Sequence, residues 1–189
     1  MNWPDDLVQL KDLLERDGLA LLPTDSVWGL CCHALRPAAI HRVFKLKQQK
    51  PGEGLVILVA DLPMLKELTG PLHPRLETLL ALHRRPLTVL YGQAGALPEV
   101  LAGPGGKWAI RITSDPFLRD LIREMEAPLV ASLPALPGED APAHFGVISS
   151  QFLENVDYVA RWRRNDKTPG DVSVMVELDA FNDLVFLRN

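Results

Sequence analysis

Apolar residues along the chain recur with two periods, and each switch between them marks an element boundary. Residues 3–16 carry Leu7, Leu10, Leu13 and Leu14 at helical spacing, with Gly18 closing the helix. Leu19–Leu22 is apolar in succession, as in a strand buried on both faces, and Pro23 stops its ladder because it has no N–H to donate. Pro37 opens a second helix that runs to Lys47 on Ile40, Val43, Phe44 and Leu46, and Gln48–Gly54 is a loop by its Pro and Gly content. Leu55–Ala60 reads as a buried strand, Pro63–Leu68 and His73–Leu82 as helices, and Leu87–Tyr91 as a strand. Gly92–Gly106 is a long loop with one short helix at Pro98–Leu101. Trp108–Thr113 alternates as a strand with Arg111 on one face. Pro116–Glu126 is a helix capped by Ser114 or Asp115, and Leu129–Ser132 is a strand. After the loop Leu133–Ala143 come a helix at Phe145–Leu153, a strand at Val156–Ala160, a mobile stretch at Arg161–Gly170, and two strands, Val172–Glu177 and Leu184–Leu187, paired as a hairpin. The pattern is that of a single α/β domain over residues 1–189, built on a mixed, twisted, open sheet flanked by helices.

Composition narrows this picture in three ways. With 189 residues, 47% of them hydrophobic and 23% charged, the chain is long enough and apolar enough to bury one sizeable core. No apolar run approaches the roughly 20 residues that span a bilayer, and the first residues carry acids where a secretory signal carries Lys or Arg, so a cytoplasmic location is expected. The two cysteines, Cys31 and Cys32, are adjacent; a bridge between neighbours is strained and there is no second pair for a zinc site, so they read as small apolar wall residues.

A net charge of −4 does not mark the whole surface for nucleic acid, but the local distribution does more. Arg36, Arg42, Lys45, Lys47 and Lys50 fall in fifteen residues that contain no acid. Smaller basic groups stand at His83–Arg85 and at Arg161, Arg163 and Arg164. Each fits a solvated helix face, and together they leave room for a phosphate-bearing ligand. The chemistry-bearing stretch is LALLPTDSVWGLCCHA, residues 19–34, where a buried strand opens into Thr24, Asp25 and Ser26, followed by Trp28 and Gly29.

This stretch resembles the opening motif of the YrdC-like family (YrdC, Sua5, YciO), the threonylcarbamoyl-AMP synthases and their relatives. Further segments match in order: Leu46–Val59 at the family's Lys-x-Arg loop and next strand, Pro86-Leu87-Thr88-Val89, Ala109–Pro116 around Arg111, Pro128–Val130, and Gly138–Ala143. The resemblance implies a twisted α/β sheet with a large concave, basic-lined face. It implies an enzyme that makes threonylcarbamoyl-AMP and pyrophosphate from L-threonine, bicarbonate and ATP, the ATP carrying Mg2+, with no permanent cofactor and no protein-held metal. The product would feed the t6A transferase machinery that modifies tRNA. A related branch is described mainly as RNA-binding, which extends the possible partners to tRNA or double-stranded RNA.

On this resemblance Lys47 and Lys50 take the catalytic role of facing the triphosphate, because charge builds on the leaving pyrophosphate. Thr24, Asp25 and Arg111 bind threonine, with Arg111 on its carboxylate. Thr88, Ser132 and Trp28 bind the nucleotide. Read without the resemblance, Thr24 and Asp25 also fit a strand-to-loop cap, Arg111 a surface strand residue, Lys47 a solvated helix end and Trp28 a core side chain. The chain departs from the family pattern on the nucleotide side. Gln49 stands where Lys-x-Arg has its arginine, and Glu53 where a base precedes the next strand. Leu133, Ala135 and Pro137 replace polar residues of the Ser-Thr-Ser-Ala-Asn-x-Ser-Gly loop, and Pro169-Gly170 replaces Pro-Ser. The alternative function is therefore a catalytically degenerate paralogue that binds RNA or a small ligand on the same concave face.

Overall fold

A computed structural model describes the backbone of residues 3–188 and side chains from Asp6 onward. Helix α1 (Trp3–Glu15) leads into β1 (Ala20–Leu22), β2 (Gly29–His33) and α2 (Pro37–Lys47). Then follow β3 (Val56–Val59), α3 (Leu62–Thr69), α4 (Pro74–Leu82), β4 (Leu87–Tyr91), β5 (Trp108–Ile112) and α5 (Pro116–Met125). The chain ends with β6 (Leu129–Ser132), α6 (Ser150–Glu154), β7 (Tyr158–Val159), β8 (Val174–Leu178) and β9 (Leu184–Arg188). The nine strands form one sheet in the order β7-β1-β2-β6-β3-β5-β4-β8-β9, with parallel pairs at β1–β7, β3–β5 and β4–β8 and antiparallel pairs elsewhere.

Local chemistry explains where the helices begin. Prolines stand in the first turn of α2, α3, α4 and α5, where their missing N–H costs nothing. Asp61 caps α3 by accepting from Met64 N, and Asp115, one of the two caps expected from sequence, caps α5 by accepting from Leu118 N. Helix α5 buries Phe117, Leu118, Leu121, Ile122 and Met125 as a single apolar stripe in the core, which also holds Leu10 and Leu14 of α1 and Ile40 and Val43 of α2.

Most expected elements recur with ends moved by one or two residues. One strand was not foreseen: Gly29–His33, given no element in the sequence reading, is β2, wholly buried between β1 and β6. Its cysteines fill the wall as expected. Burial pushes the Cys31 thiol up to about 12 and the Cys32 thiol higher still, so both are protonated and inert. The helix expected over Phe145–Leu153 divides into a single 3-10 turn at Phe145–Val147 and α6, because Ser149 caps a new start by accepting from Gln151 N. The strand expected at Val156–Ala160 shortens to Tyr158–Val159. The terminal hairpin forms as expected, with a bulge where β9 passes Met175 and Val176.

Candidate functional site

A cavity of about 190 Å3 opens where the loop after β1, the end of α2, the start of β3, the end of β6 and the strands β5 and β9 converge. Register builds its floor. Arg111 of β5 lies directly opposite Thr88 of β4, Thr88 opposite Met175 of β8, and Met175 opposite Arg188 of β9. Directly paired residues share a face, so Arg111 and Arg188 project to the same side of the sheet from strands three spacings, about 14 Å, apart.

Arg111 is deeply enclosed in the wall, with 4% of its side chain exposed. Its Nη2 stands 3.2 Å from Asp25 Oδ1, and its Nε is buried without a protein partner. Burial draws its pKa below the usual arginine value, with the Asp25 carboxylate opposing the shift. An unpaired guanidinium N–H deep in a pocket is costly unless a ligand accepts from it. Asp25 does not itself line the cavity. Its Oδ2 accepts from Ser114 N at 2.8 Å and Ser114 Oγ at 3.2 Å, which clamps the loop after β1 to the entry of α5. It positions Arg111 from behind.

Thr24 does line the cavity, and its hydroxyl also does what the strand-to-loop reading expected. Oγ1 donates to Val27 O at 2.7 Å and accepts from Ser26 N at 3.0 Å, shaping the turn. With its one proton committed, Thr24 can offer a ligand only an acceptor. Trp28 forms a wall, 6% exposed, with its ring 4.8 Å from that of Phe145, over which the Arg164 guanidinium sits at 5.0 Å.

Lys47, the last residue of α2, is turned inward rather than solvated. Its Nζ donates to Leu133 O at 2.5 Å and Ala135 O at 3.0 Å, and burial lowers its pKa to about 8, with Glu139 opposing. Ser132 lines the wall beside it at the end of β6. Lys50 is placed elsewhere: it is exposed in the turn beyond α2 and outside the cavity lining, because Gln48 ends the helix in the left-handed conformation and turns the chain outward. Gln49 takes the lining position next to Lys47, its Oε1 buried without a partner. Thr88 is likewise off the wall. It is fully buried, and its Oγ1 lies 2.7 Å from Ser173 Oγ, so Ser173 stands between it and the cavity.

Three contributors were not foreseen from the sequence. Ser173 lines the cavity just ahead of β8, and Arg188 holds it through Nε to Ser173 O at 2.8 Å and Nη2 to Ser173 Oγ at 3.1 Å. Their signal was a lone serine and a lone arginine flanking the two apolar runs of the hairpin. The third is Arg163, in the segment expected to be mobile. Its Nη1 donates to Thr24 O at 2.9 Å and lies 3.5 Å from an Asp115 oxygen. That segment is tied down a second time at Gly170, where a Cβ would fall 2.3 Å from Ser26 O. The absence of a side chain at Gly170 is what lets the strap lie on the loop after β1. Among the described residues, no group of three or more His, Cys, Asp or Glu could hold a metal ion.

Known proteins share this fold and family. The Sua5–YciO–YrdC family model, described as "Telomere recombination", matches residues 12–188. A threonylcarbamoyl-AMP synthase from Moraxella catarrhalis is 34% identical over 137 residues, 66% of each chain, so the match spans just under two thirds of that relative. The structure of P. abyssi Sua5 complexed with L-threonine superposes with a TM-score of 0.81 at 21% identity, over 96% of this chain and 53% of that one. YciO of E. coli superposes with a TM-score of 0.82 at 18% identity, over 98% and 89%. No helix of the described residues is long and apolar enough to cross a membrane.

Proposed function

The chain belongs to the Sua5–YciO–YrdC family, and from that premise we propose that its cavity binds L-threonine and carries out threonylcarbamoyl-AMP synthesis for the t6A modification of tRNA. The observation that carries this reading is the buried Arg111 guanidinium lining the cavity, backed by the Asp25 carboxylate from outside the lining. Its guanidinium fork suits a carboxylate. Thr24 Oγ1 accepts, as an ammonium or amine requires. A cavity of about 190 Å3 suits an amino acid, and the nucleotide would extend from it toward Lys47, Ser132 and the open side.

In the reaction, the threonine amine attacks the carbon of CO2 derived from bicarbonate and loses a proton, giving a carbamate; the hydroxide left from bicarbonate takes up that proton as water. A carbamate oxygen then attacks the α-phosphorus of ATP and pyrophosphate leaves. Lys47 is the cation nearest the expected phosphate path, and its role would be to oppose the charge that builds on the leaving group. Arg188 and Ser173 offer further donors at the far end of the wall. Mg2+ would arrive on the ATP. Lys50, exposed and outside the lining, has no part in this reading.

A second reading is favoured by the surroundings of Lys47. Its ammonium is already occupied by two backbone carbonyls, and Gln49 and Leu133 beside it carry no charge. A pocket of this kind suits amino-acid binding without adenylation, with RNA or a small ligand as partner. Pyrophosphate release by the purified chain separates the two. Release that depends on both L-threonine and bicarbonate supports synthesis. No release, with threonine but not ATP raising the unfolding temperature, supports the binding reading.

A further inference from the structure

The two edges of the nine-stranded sheet are unlike. At one end β7 is two residues long and is followed within five residues by Arg161, Arg163 and Arg164, the short and charged edge that resists further pairing. At the other end β9 is five residues long, pairs only with β8 among the described residues, and reads Leu-Val-Phe-Leu before its first charge. It carries no proline and no inward or outward lysine. Of the eight large apolar side chains left exposed among the described residues, five gather here: Val185, Phe186 and Leu187 on β9, Phe181 on the hairpin tip and Leu82 at the end of α4. Leu82 and Leu184 line one apolar groove between α4 and β9, and Arg75 of α4 holds the hairpin tip through Asn182 O at 2.8 Å, so helix and hairpin present one surface.

We infer that this edge is the interface of a homodimer, in which β9 pairs antiparallel with β9 of a second copy about a two-fold axis through the middle of the strand. The occupant follows from complementarity. An isologous contact places the same strand edge against itself, apolar on apolar. Size agrees as well. The five side chains are 37–84% exposed, nearly three whole side chains of apolar surface per copy. With the backbone of β9 these side chains would form the centre of an interface of the standard size, roughly 800 Å2 per partner. Pairing would satisfy the free N–H and C=O groups of β9 in both copies and continue the sheet through the dimer. The cavity opens on the sheet face beside this strand, and Arg188 belongs to both regions, so assembly would brace one wall of the site.

Light scattering on the full 189-residue chain across a hundredfold range of micromolar concentrations tests this. A mass of twice 21.0 kDa is expected at the upper end, falling to 21.0 kDa for Phe186→Lys, with an unchanged circular dichroism spectrum and a cooperative melt. Leu187→Lys, at a 48% exposed position, should do the same and serves if Phe186→Lys does not fold. A wild-type chain that stays monomeric throughout overturns the inference. So does a dimer that survives both lysine substitutions in folded protein.

Discussion

At the scale of single residues the site turns on two buried cations with opposite supports. Arg111 has a carboxylate behind it and the cavity in front. Calorimetry should therefore find that Arg111→Lys, which keeps the charge but not the fork, loses at least about tenfold in threonine affinity, or about 1.4 kcal/mol. Lys47 has only carbonyls, and its pKa of about 8 lies below the usual lysine value of 10.5. The unfolded chain then holds one more proton than the folded chain between pH 8 and 10.5, so the destabilisation from burying this charge is full below pH 8 and is relieved as pH rises through that window. Stability of the wild type relative to Lys47→Met should climb from pH 8 to 10, as read from denaturant midpoints. Pyrophosphate release, if Lys47 serves as a cation, should fall over the same range. Sequence reached Arg111 and Lys47 through motif position, but not what holds them. The Lys47–Leu133 bond spans 86 residues and the Thr88–Ser173 bond 85, and no periodicity encodes such pairs. The same gap hid Ser173 and Arg188 and gave Thr88 a place on the wall that Ser173 occupies.

At the scale of elements, the caps and the strap are where local chemistry and site geometry meet. Asp115→Ala removes the α5 cap and should cost about 1 kcal/mol in chemical denaturation; it also removes the carboxylate facing Arg163. Gly170→Ala pushes a methyl into Ser26 O and should displace the strap from the loop after β1. The expected readout is a loss of stability of roughly 1–3 kcal/mol, together with weaker threonine binding. Helices with apolar stripes and proline starts were legible because their signals are local. Strand β2 was not. Its run GLCCH is short, follows a turn-rich loop and contains neither valine nor isoleucine, so only its pairing with β1 and β6 makes it a strand. The segment Arg161–Gly170, expected to be mobile, is held by a contact of Arg163 to Thr24, 139 positions away.

At the scale of the molecule, the cavity exists only when the sheet is complete, since its walls come from both ends of the chain. The two thiols of β2 lie inside that sheet, on its third strand from one edge, both fully buried. They are thus a built-in clock for its opening. In native protein a thiol-specific reagent should find neither, and the rate at which both become labelled in dilute denaturant should equal the rate of global unfolding rather than that of loop motion. Labelling that runs faster than the loss of circular dichroism would locate a sub-global opening at β2. A ligand that bridges the loop after β1 to β5 should slow the clock without touching either sulfur.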